Sequence, residues 1–125
     1  MLKQSITIEL PWPPSVNSYY RRRGHTYFIS QKGVQYRREV CLLCHKYRHT
    51  FSDTERISIT IEAYPPDKRR RDLDNLLKSL QDSLEHAKVF KDDSQIDKLI
   101  ITRQPEKLSK VVVTLETYST LESAF

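Results

Sequence analysis

The spacing of apolar residues between positions 73 and 87 constrains the fold of this chain more than any other sequence feature. These residues recur at the intervals of three and four that place side chains on one face of an α-helix. They are Leu73, Leu76, Leu77, Leu80, Leu84 and Ala87. Asp72 suits the N-cap, and Asp74 lies in the first turn, where the helix dipole favours a negative charge. An amphipathic helix is therefore predicted from Asp72 to about residues 86–88.

Strand patterns on both sides of this helix predict what it packs against. Alternating apolar and polar residues at 5–10 and 56–63 predict strands with one buried face, and two more strands are predicted at 99–102 and 111–115. A second amphipathic helix is predicted from an N-cap at Ser30 to about Thr50. Residues 15–20 are predicted as loop, residues 21–25 as a basic turn and residues 26–29 as a short hairpin strand.

These elements predict one α/β (α+β) domain over residues 1–125, with a mixed four-stranded sheet and two main helices on one face. Residues 119–125 are expected to fray. The two glycines, Gly24 and Gly33, are too few for a glycine-rich phosphate-binding loop. No apolar run approaches a membrane span, and Met1–Ser5 lacks an apolar signal region. The expected location is therefore the cytoplasm, with no membrane partner.

A surplus of positive charge gives the first indication of a partner. The chain has 21 Lys and Arg against 16 Asp and Glu, a formal net charge of +5 at pH 7. Such a balance suits a polyanion such as nucleic acid, although many basic proteins bind nothing acidic. The cations at positions 68–71 run directly into Asp72 and Asp74.

Cys41, Cys44 and His45 form a C-x-x-C-H sequence, the pattern of haem attachment. Haem is not expected, because the chain has no export signal and its only methionine is Met1, a poor axial ligand. A zinc site would add His49. All four residues lie within nine positions of one predicted helix, with the cysteines on the core face and the histidines pointing elsewhere. Reduced, half-buried thiols are expected rather than zinc.

The aspartates at 72, 74, 92, 93 and 97 have two interpretations. In the structural one, Asp72 and Asp74 cap the helix, and Lys78 pairs with Asp74 or Asp82, an interaction worth at most about 0.5 kcal/mol. In the catalytic one, two or three carboxylates bind a hard divalent cation for phosphodiester hydrolysis, and the adjacent cations hold the nucleic-acid backbone. Lys78 would then stabilise charge at the scissile phosphate or assist the attacking water. The residues alone leave both interpretations open.

Three short sequences together resemble a known family. They are Leu10-Pro11-Trp12-Pro13-Pro14-Ser15 with Asn17 and Tyr19-Tyr20, Pro66-Asp67 with Arg69-Arg70-Arg71-Asp72-Leu73-Asp74-Asn75 and Lys78, and Asp92-Asp93 with Gln95. With them the chain resembles, over nearly its whole length, the RusA Holliday junction resolvases, a group of small phage and prophage endonucleases. The R-R-D-x-D-N-x-x-K string followed by a later D-D is a specific signature of that group.

The resemblance implies a homodimeric enzyme that binds four-way DNA junctions and nicks two opposing strands during recombination and repair. It implies a Mg²⁺-dependent reaction, with Mn²⁺ able to substitute. Asp72, Asp74 and Asp93 would be the metal-binding catalytic carboxylates, and Lys78 the catalytic lysine. The implied DNA-binding residues are Ser15, Val16, Asn17, Lys68, Arg69, Arg70, Arg71 and Asn75. We therefore expect the three aspartates to converge within one subunit, and a two-fold dimer to present two equivalent sites to the junction.

Two alternatives stay open beside this interpretation. The same features suit a non-catalytic module that binds branched DNA, or a metal nuclease that acts on other branched forms. The chain also departs from the family pattern at Ser18, where a basic or another polar residue is common. Asp92 beside Asp93 leaves the choice of metal ligand open, and no role is assigned to Asp97.

Overall fold

The structure is a computed structural model that describes residues 3–119. The main elements, in chain order, are β1 (Ser5–Pro11), α1 (Val16–Tyr19), β2 (Tyr20–Arg23), β3 (Thr26–Ile29), α2 (Gln31–Cys44), β4 (Ile57–Tyr64), α3 (Leu77–His86), β5 (Ile96–Arg103) and β6 (Lys110–Thr117). Short 3₁₀ helices lie between them at His45–Tyr47, Leu73–Leu76 and Asp93–Gln95. The tail predicted to fray falls outside the described residues, apart from Ser119.

The main sheet has four strands in the order β1-β6-β4-β5. β6 pairs antiparallel with both β1 and β4, whereas β4 and β5 are parallel. This confirms the predicted mixed sheet. Because parallel strands need a crossover connection, the chain leaves the carboxyl end of β4, runs back along α3 and enters β5 from its amino end. Residues 65–95 form this crossover, and both pairs of aspartates, at 72 and 74 and at 92 and 93, lie in it.

The helices cover one face of the sheet, as predicted. In β4, Ile57, Ile59, Ile61 and Ala63 are fully buried, while the alternate residues are only half-buried. The buried side chains form one cluster with residues from β1 and β6 and from both long helices. Strict alternation in the strands therefore sets which face carries the core.

The helix predicted at Asp72 forms, but its first turn is tighter than expected. Residues Leu73–Leu76 are a 3₁₀ helix, and α3 continues from Leu77 to His86. The predicted apolar face is confirmed, because Leu76, Leu80 and Leu84 are buried in the core cluster.

The second long helix begins where it was predicted and ends earlier. The Ser30 side chain caps α2 by accepting a hydrogen bond from the Gly33 amide at 3.0 Å. The predicted end near Thr50 is wrong, since α2 ends at Cys44 and is followed by a 3₁₀ turn. His49 has a φ of 60°, a left-handed conformation that a continuing α-helix does not accommodate.

A separate two-stranded hairpin, β2–β3, replaces the predicted basic turn. Arg21 to Arg23 belong to β2, which pairs antiparallel with β3, so the predicted strand at 26–29 is confirmed while its partner was missed. The loop is only Gly24 and His25, and Gly24 has the positive φ of 61° that tight hairpin turns require. Part of the segment predicted as loop, Val16–Tyr19, is the short helix α1.

Candidate active site

The crossover topology places the two acidic clusters at opposite ends of the sheet. Asp72 and Asp74 follow the carboxyl end of β4, where the 3₁₀ turn begins, whereas Asp92 and Asp93 come directly before the amino end of β5. Arg103, the last residue of β5, donates a hydrogen bond to the Arg71 carbonyl, which ties the first cluster to the carboxyl edge.

Asp67 organises the arginines that precede the first cluster. Its carboxylate accepts hydrogen bonds from the Arg71 guanidinium at 2.6 and 3.1 Å and from the Arg69 backbone amide at 2.8 Å. Hydrogen bonds from the Arg71 guanidinium and from the backbone amide and side chain of Arg69 hold the pKa of Asp67 well below its usual range. Arg70 and Lys68 make no side-chain hydrogen bond or ion pair within residues 3–119, so both cations are available to a ligand.

A cleft of about 620 Å³ opens beside these arginines. Its lining brings together two of the segments singled out in the sequence, the loop at Ser15 and the stretch from Arg69 to Asn75. The lining residues are Trp12, Pro13, Pro14, Ser15, Ser18, Lys32, Arg69, Arg70, Arg71, Asp72, Asn75 and Leu76. Lys68 lines a smaller adjoining cavity of about 150 Å³, and Val16 and Asn17 lie in α1.

A hydrogen bond holds this loop against the crossover helix. Ser79 of α3 is fully buried, and its hydroxyl donates to the Pro14 carbonyl at 2.6 Å. Since Ser79 lies five residues after Asp74 on the same helical segment, this bond fixes the Ser15 loop relative to Asp72 and Asp74.

The carboxylates at this end have no structural partner. Asp72 occupies the N-cap position of the 3₁₀ turn with extended backbone, but its side chain makes no capping hydrogen bond. The predicted ion pair between Asp74 and Lys78 is absent within residues 3–119, and Arg37 rather than Lys78 pairs with Asp82. Asp72 and Asp74 are exposed. The structural interpretation, caps plus one ion pair, therefore leaves all three charged groups unexplained.

At the other end of α3, Glu85, Asp92 and Asp93 form a carboxylate group whose ligand oxygens lie within 4.8 Å of one another. Burial and the charges of Asp93 and Asp92 raise the pKa of Glu85. Within residues 3–119 this is the group of side chains whose spacing suits one metal ion. Glu85 was not among the predicted site residues, and no short motif marks it.

The structure does not bring Asp93 to Asp72 and Asp74 within one chain. Eleven residues separate Asp74 from Glu85 along the 3₁₀ turn and α3, a span of about 18 Å at ordinary helical rise. Asp93 lies beside Glu85, whereas oxygens that share one Mg²⁺ lie within about 4 Å of each other. The expected convergence within a single subunit is therefore wrong, because the crossover helix runs the length of the sheet between the clusters.

Gln95 fixes the loop that carries the second cluster. It is 3% exposed, and its amide nitrogen donates to the Ser52 and Glu55 carbonyls, both at 2.9 Å. Its amide oxygen accepts from the Lys91 and Asp92 amides at 3.0 and 3.1 Å. This amide therefore connects the loop before β5 to the loop before β4. Its role is visible only in the folded chain.

A half-buried polar network joins α1 and α2 to the middle of α3. The Tyr19 hydroxyl donates to Asp82, which also accepts from the Arg37 guanidinium at 2.5 Å. Burial and the bond to Asp82 raise the pKa of Tyr19 to about 12. Burial opposes ionisation of Asp82, but the Tyr19 and Arg37 donors outweigh it and lower the pKa of that carboxyl.

The cysteines belong to neither acidic cluster. Cys44 is fully buried, and burial together with Cys41 raises the pKa of its thiol to about 11. His45 and His49 are exposed beyond the end of α2. Among residues 3–119, no helix has the length and apolar composition needed to cross a membrane.

Comparison with known proteins gives the class to which this fold and these clusters belong. Residues 11–116 match the family model for the endodeoxyribonuclease RusA. The chain belongs to the RusA endodeoxyribonuclease family.

Individual relatives cover most of the chain. It is 47% identical over 94 residues to the crossover junction endodeoxyribonuclease of Enterobacteria phage HK97, covering 75% of this chain and 78% of that protein. It is 40% identical over 102 residues to the crossover junction endodeoxyribonuclease of Escherichia coli K12, covering 81% and 84%. The protein of the same name from Enterobacteria phage 82 is 41% identical over 99 residues, covering 78% and 82%.

Proposed function

We propose that this protein is a Holliday junction resolvase, a metal-dependent endodeoxyribonuclease that makes paired nicks in four-way DNA junctions. The observation that carries the proposal is a pair of unpartnered carboxylates, of which Asp72 lines a cleft together with three arginines and Asp74 follows two residues later. Family membership and relatives named crossover junction endodeoxyribonucleases support the same activity. The enzyme would act in the cytoplasm, where its DNA substrate lies.

The donor set suits a hard divalent cation. Mg²⁺ prefers oxygen ligands and keeps several waters, so a few carboxylates suffice, and Mn²⁺ accepts the same ligands. Asp72, Asp74 and Asp93 would hold the ion, which when bound supplies an activated water and stabilises charge on the phosphate. Asp93 is preferred to Asp92, because an Asp92 oxygen already accepts the Ser94 amide at 2.9 Å.

The separation of the clusters supports a site shared between two subunits. In a two-fold dimer, the same surface of both subunits forms the interface, so any contact between two different parts of it occurs twice. The end of α3 that carries Asp72 and Asp74 in one subunit can therefore meet the end that carries Asp93 in the other. Such a dimer has two identical composite sites, and a resolvase needs two symmetric cuts. The homodimer is thus part of the proposed chemistry, since neither subunit holds all three carboxylates in reach of one ion.

The chain's other residues divide the remaining work. Lys78 is exposed and one turn after Asp74, so its ammonium can approach the scissile phosphate and stabilise the charge that develops there. Arg69 and Arg71 are held by Asp67, while Arg70 and Lys68 are free for phosphates. Ser15, Val16, Asn17 and Asn75, near the same cleft, would complete the contact with DNA. Phosphate contacts of this kind fix position, and the branched shape is recognised through them.

The test is cleavage of a synthetic four-way junction by Asp74→Asn. We expect the variant to bind the junction and to lose Mg²⁺-dependent cleavage by about a hundredfold or more. Asp53→Asn, which changes an exposed aspartate in a 3.4 Å ion pair with Lys91, is the matched control and should cleave normally. Full cleavage by Asp74→Asn would contradict the proposed metal-dependent active site.

Two other outcomes correspond to the alternative functions. A wild-type protein that binds junctions but never nicks them with Mg²⁺ or Mn²⁺ is a non-catalytic branched-DNA-binding module. Equal cleavage of three-way junctions, flaps and four-way junctions indicates a nuclease for branched DNA in general. Mapping the cuts on each strand separates these cases from paired symmetric nicking.

A further inference from the structure

The β2–β3 hairpin carries exposed aromatic rings that no core requires. It forms its own two-stranded sheet, apart from the four-stranded one. Tyr27 is 67% exposed and Phe28 is 44% exposed, although they occupy adjacent positions on one strand. Because successive strand residues point to opposite faces, one ring lies on each face of the hairpin. Packing against the domain therefore does not account for either ring.

The charged side chains of the hairpin itself are all positive. Arg21, Arg22 and Arg23 are exposed on the same hairpin, and the exposed Lys32 follows in the sequence. Residues 10–38 contain neither Asp nor Glu. A surface of this kind attracts a polyanion and repels a cationic partner.

Each ring is paired with an arginine. The Arg22 guanidinium carbon lies 5.7 Å from the centre of the Tyr27 ring, its direct cross-strand neighbour. The Arg23 guanidinium carbon lies 5.9 Å from the centre of the Phe28 ring, a diagonal neighbour on the other face. Alternating arginines and aromatic rings are the surface that single-stranded nucleic acid uses, with phosphates on the cations and bases on the rings.

The base of the hairpin is anchored beside the proposed catalytic helix. The Ser30 amide donates to the Tyr19 carbonyl at 2.9 Å, and the Tyr19 side chain belongs to the half-buried network with Asp82 of α3. Tyr20, the first residue of β2, packs edge-to-face against Tyr19, with the two ring centres 4.8 Å apart. The hairpin therefore projects from the part of the molecule that lies between the two acidic clusters.

We propose that this hairpin is a second DNA-contacting element, in which Tyr27 and Phe28 stack on unpaired nucleotides at a branch point. The inference rests on the proposed branched-DNA substrate and goes beyond it by naming the feature of the branch that the hairpin contacts. Bases inside a duplex are covered by their neighbours, so they offer no free face to a ring. Nucleotides at the point where strands exchange can unstack, and only these suit both the rings and the arginines.

The experiment compares binding of a four-way junction and of a linear duplex of equal length, without divalent metal so that nothing is cut. Tyr27→Ala/Phe28→Ala should lose about tenfold or more in junction affinity and keep its duplex affinity. Tyr27→Phe/Phe28→Tyr retains both rings and should bind the junction normally. Leu42→Ala, which removes an 80% exposed side chain on α2, is the control for loss of exposed apolar surface.

A second measurement does not depend on any variant. Wild-type protein is irradiated with a junction carrying 5-iodouracil at the branch nucleotides, and the cross-linked peptide is identified by mass spectrometry. We expect cross-links at Tyr27 or Phe28, and none when the iodouracil lies in a duplex arm.

The outcomes separate this inference from the function on which it rests. If the wild type prefers junctions, but the double alanine variant binds equally well and cross-links map elsewhere, the hairpin inference is overturned and the resolvase proposal stands. Hairpin rings that serve an acidic protein partner would give the same result. If the wild type does not distinguish a junction from a duplex, the proposed function fails and the hairpin inference fails with it.

Discussion

The two ends of the crossover helix use aspartate in the same position for different purposes. Asp72 and Asp92 each occupy the N-cap of a 3₁₀ turn, and both have extended backbone. The Asp72 side chain makes no capping bond, whereas Asp92 accepts the Ser94 amide and forms a complete capping box with Gln95. Position and residue type therefore do not reveal function. The hydrogen bonds that the carboxylate makes separate a cap from a candidate ligand.

Charge divides the two ends further. The first cluster follows a run of cations at 68–71, while the second places three carboxylates together next to Lys91. Burial and, after it, the like charges of Asp93 and Asp92 raise the pKa of Glu85, and a bound cation would relieve the repulsion between these carboxylates even without DNA. In the proposed composite site, the first cluster would face the substrate and the second would supply a cation-binding half, so a complete site would need both.

Mixed dimers give the largest effect and the sharpest test of this division. The Asp74→Asn and Asp93→Asn homodimers should each lose about a hundredfold or more in cleavage rate. When the two are co-expressed and the heterodimer is purified with two different tags, a shared site predicts one wild-type site per dimer. That heterodimer should nick one strand of the junction, whereas sites confined to single subunits would leave it inactive.

The controls for this experiment are the two tagged homodimers and a heterodimer of Asp74→Asn with wild type. The last one retains one intact composite site and should also make single nicks. Absence of nicking by the Asp74→Asn/Asp93→Asn heterodimer, with activity in the wild-type control, contradicts the composite site.

The next largest effect is expected from replacing Gln95, because this side chain fixes only the loop that carries the second cluster. Replacing this buried side chain by alanine leaves two backbone carbonyls and two backbone amides without their partners, and we expect a loss of about 2–4 kcal/mol in the free energy of unfolding. Gln35→Ala, on the exposed face of α2, is the control and should change stability by less than about 0.5 kcal/mol. Urea denaturation measures both, and a Gln95→Ala protein as stable as the wild type would show that water replaces the amide.

Most of the fold follows from local sequence patterns, while the composition of the site does not. Alternation in 56–63 and the leucine spacing after Asp72 predict a strand and a helix face because burial follows periodicity. The hairpin partner of residues 26–29 was missed, since three consecutive arginines hide any alternation. The convergence of Asp72, Asp74 and Asp93 was wrong because it depends on the direction of the crossover, which is a long-range property of the sheet. Glu85 joins the second cluster for the same reason.

Substitutions at the two N-cap positions, Asp72 and Asp92, should change stability less than Gln95→Ala but compare the two ends directly. Asp92→Ala removes a side chain that caps its turn, and we expect it to lose about 1 kcal/mol of stability. Asp72→Ala removes an unbonded carboxylate and should stay within about 0.5 kcal/mol of the wild type. Cleavage should follow the opposite order, with Asp72→Ala the more severely impaired. Equal loss of stability in both variants would show that Asp72 is also a structural cap.

The smallest expected effect concerns the pH dependence of Glu85. A carboxyl whose pKa is raised by folding binds its proton more tightly in the folded state. Stability is therefore lost as pH rises from the usual glutamate range, about 4.3, through the raised value, and it stays reduced at neutral pH. Glu85→Gln removes this cost, so without divalent metal its Tm at pH 7 should exceed that of the wild type by about 2 °C or less. At pH 4 the difference should vanish.

Divalent metal should reverse the order of the two proteins. If Glu85, Asp92 and Asp93 form a cation-binding half, millimolar Mn²⁺ raises the Tm of the wild type more than that of Glu85→Gln, because bound cation stabilises the folded state. Glu39→Gln, an exposed position on α2, should respond to pH and Mn²⁺ as the wild type does. A Glu85→Gln protein that is less stable than the wild type at pH 7 in chelator would mean that the glutamate supports the fold. Glu85 would then be a residue that stabilises the end of α3, and the proposal that it belongs to a cation-binding group would lose this support.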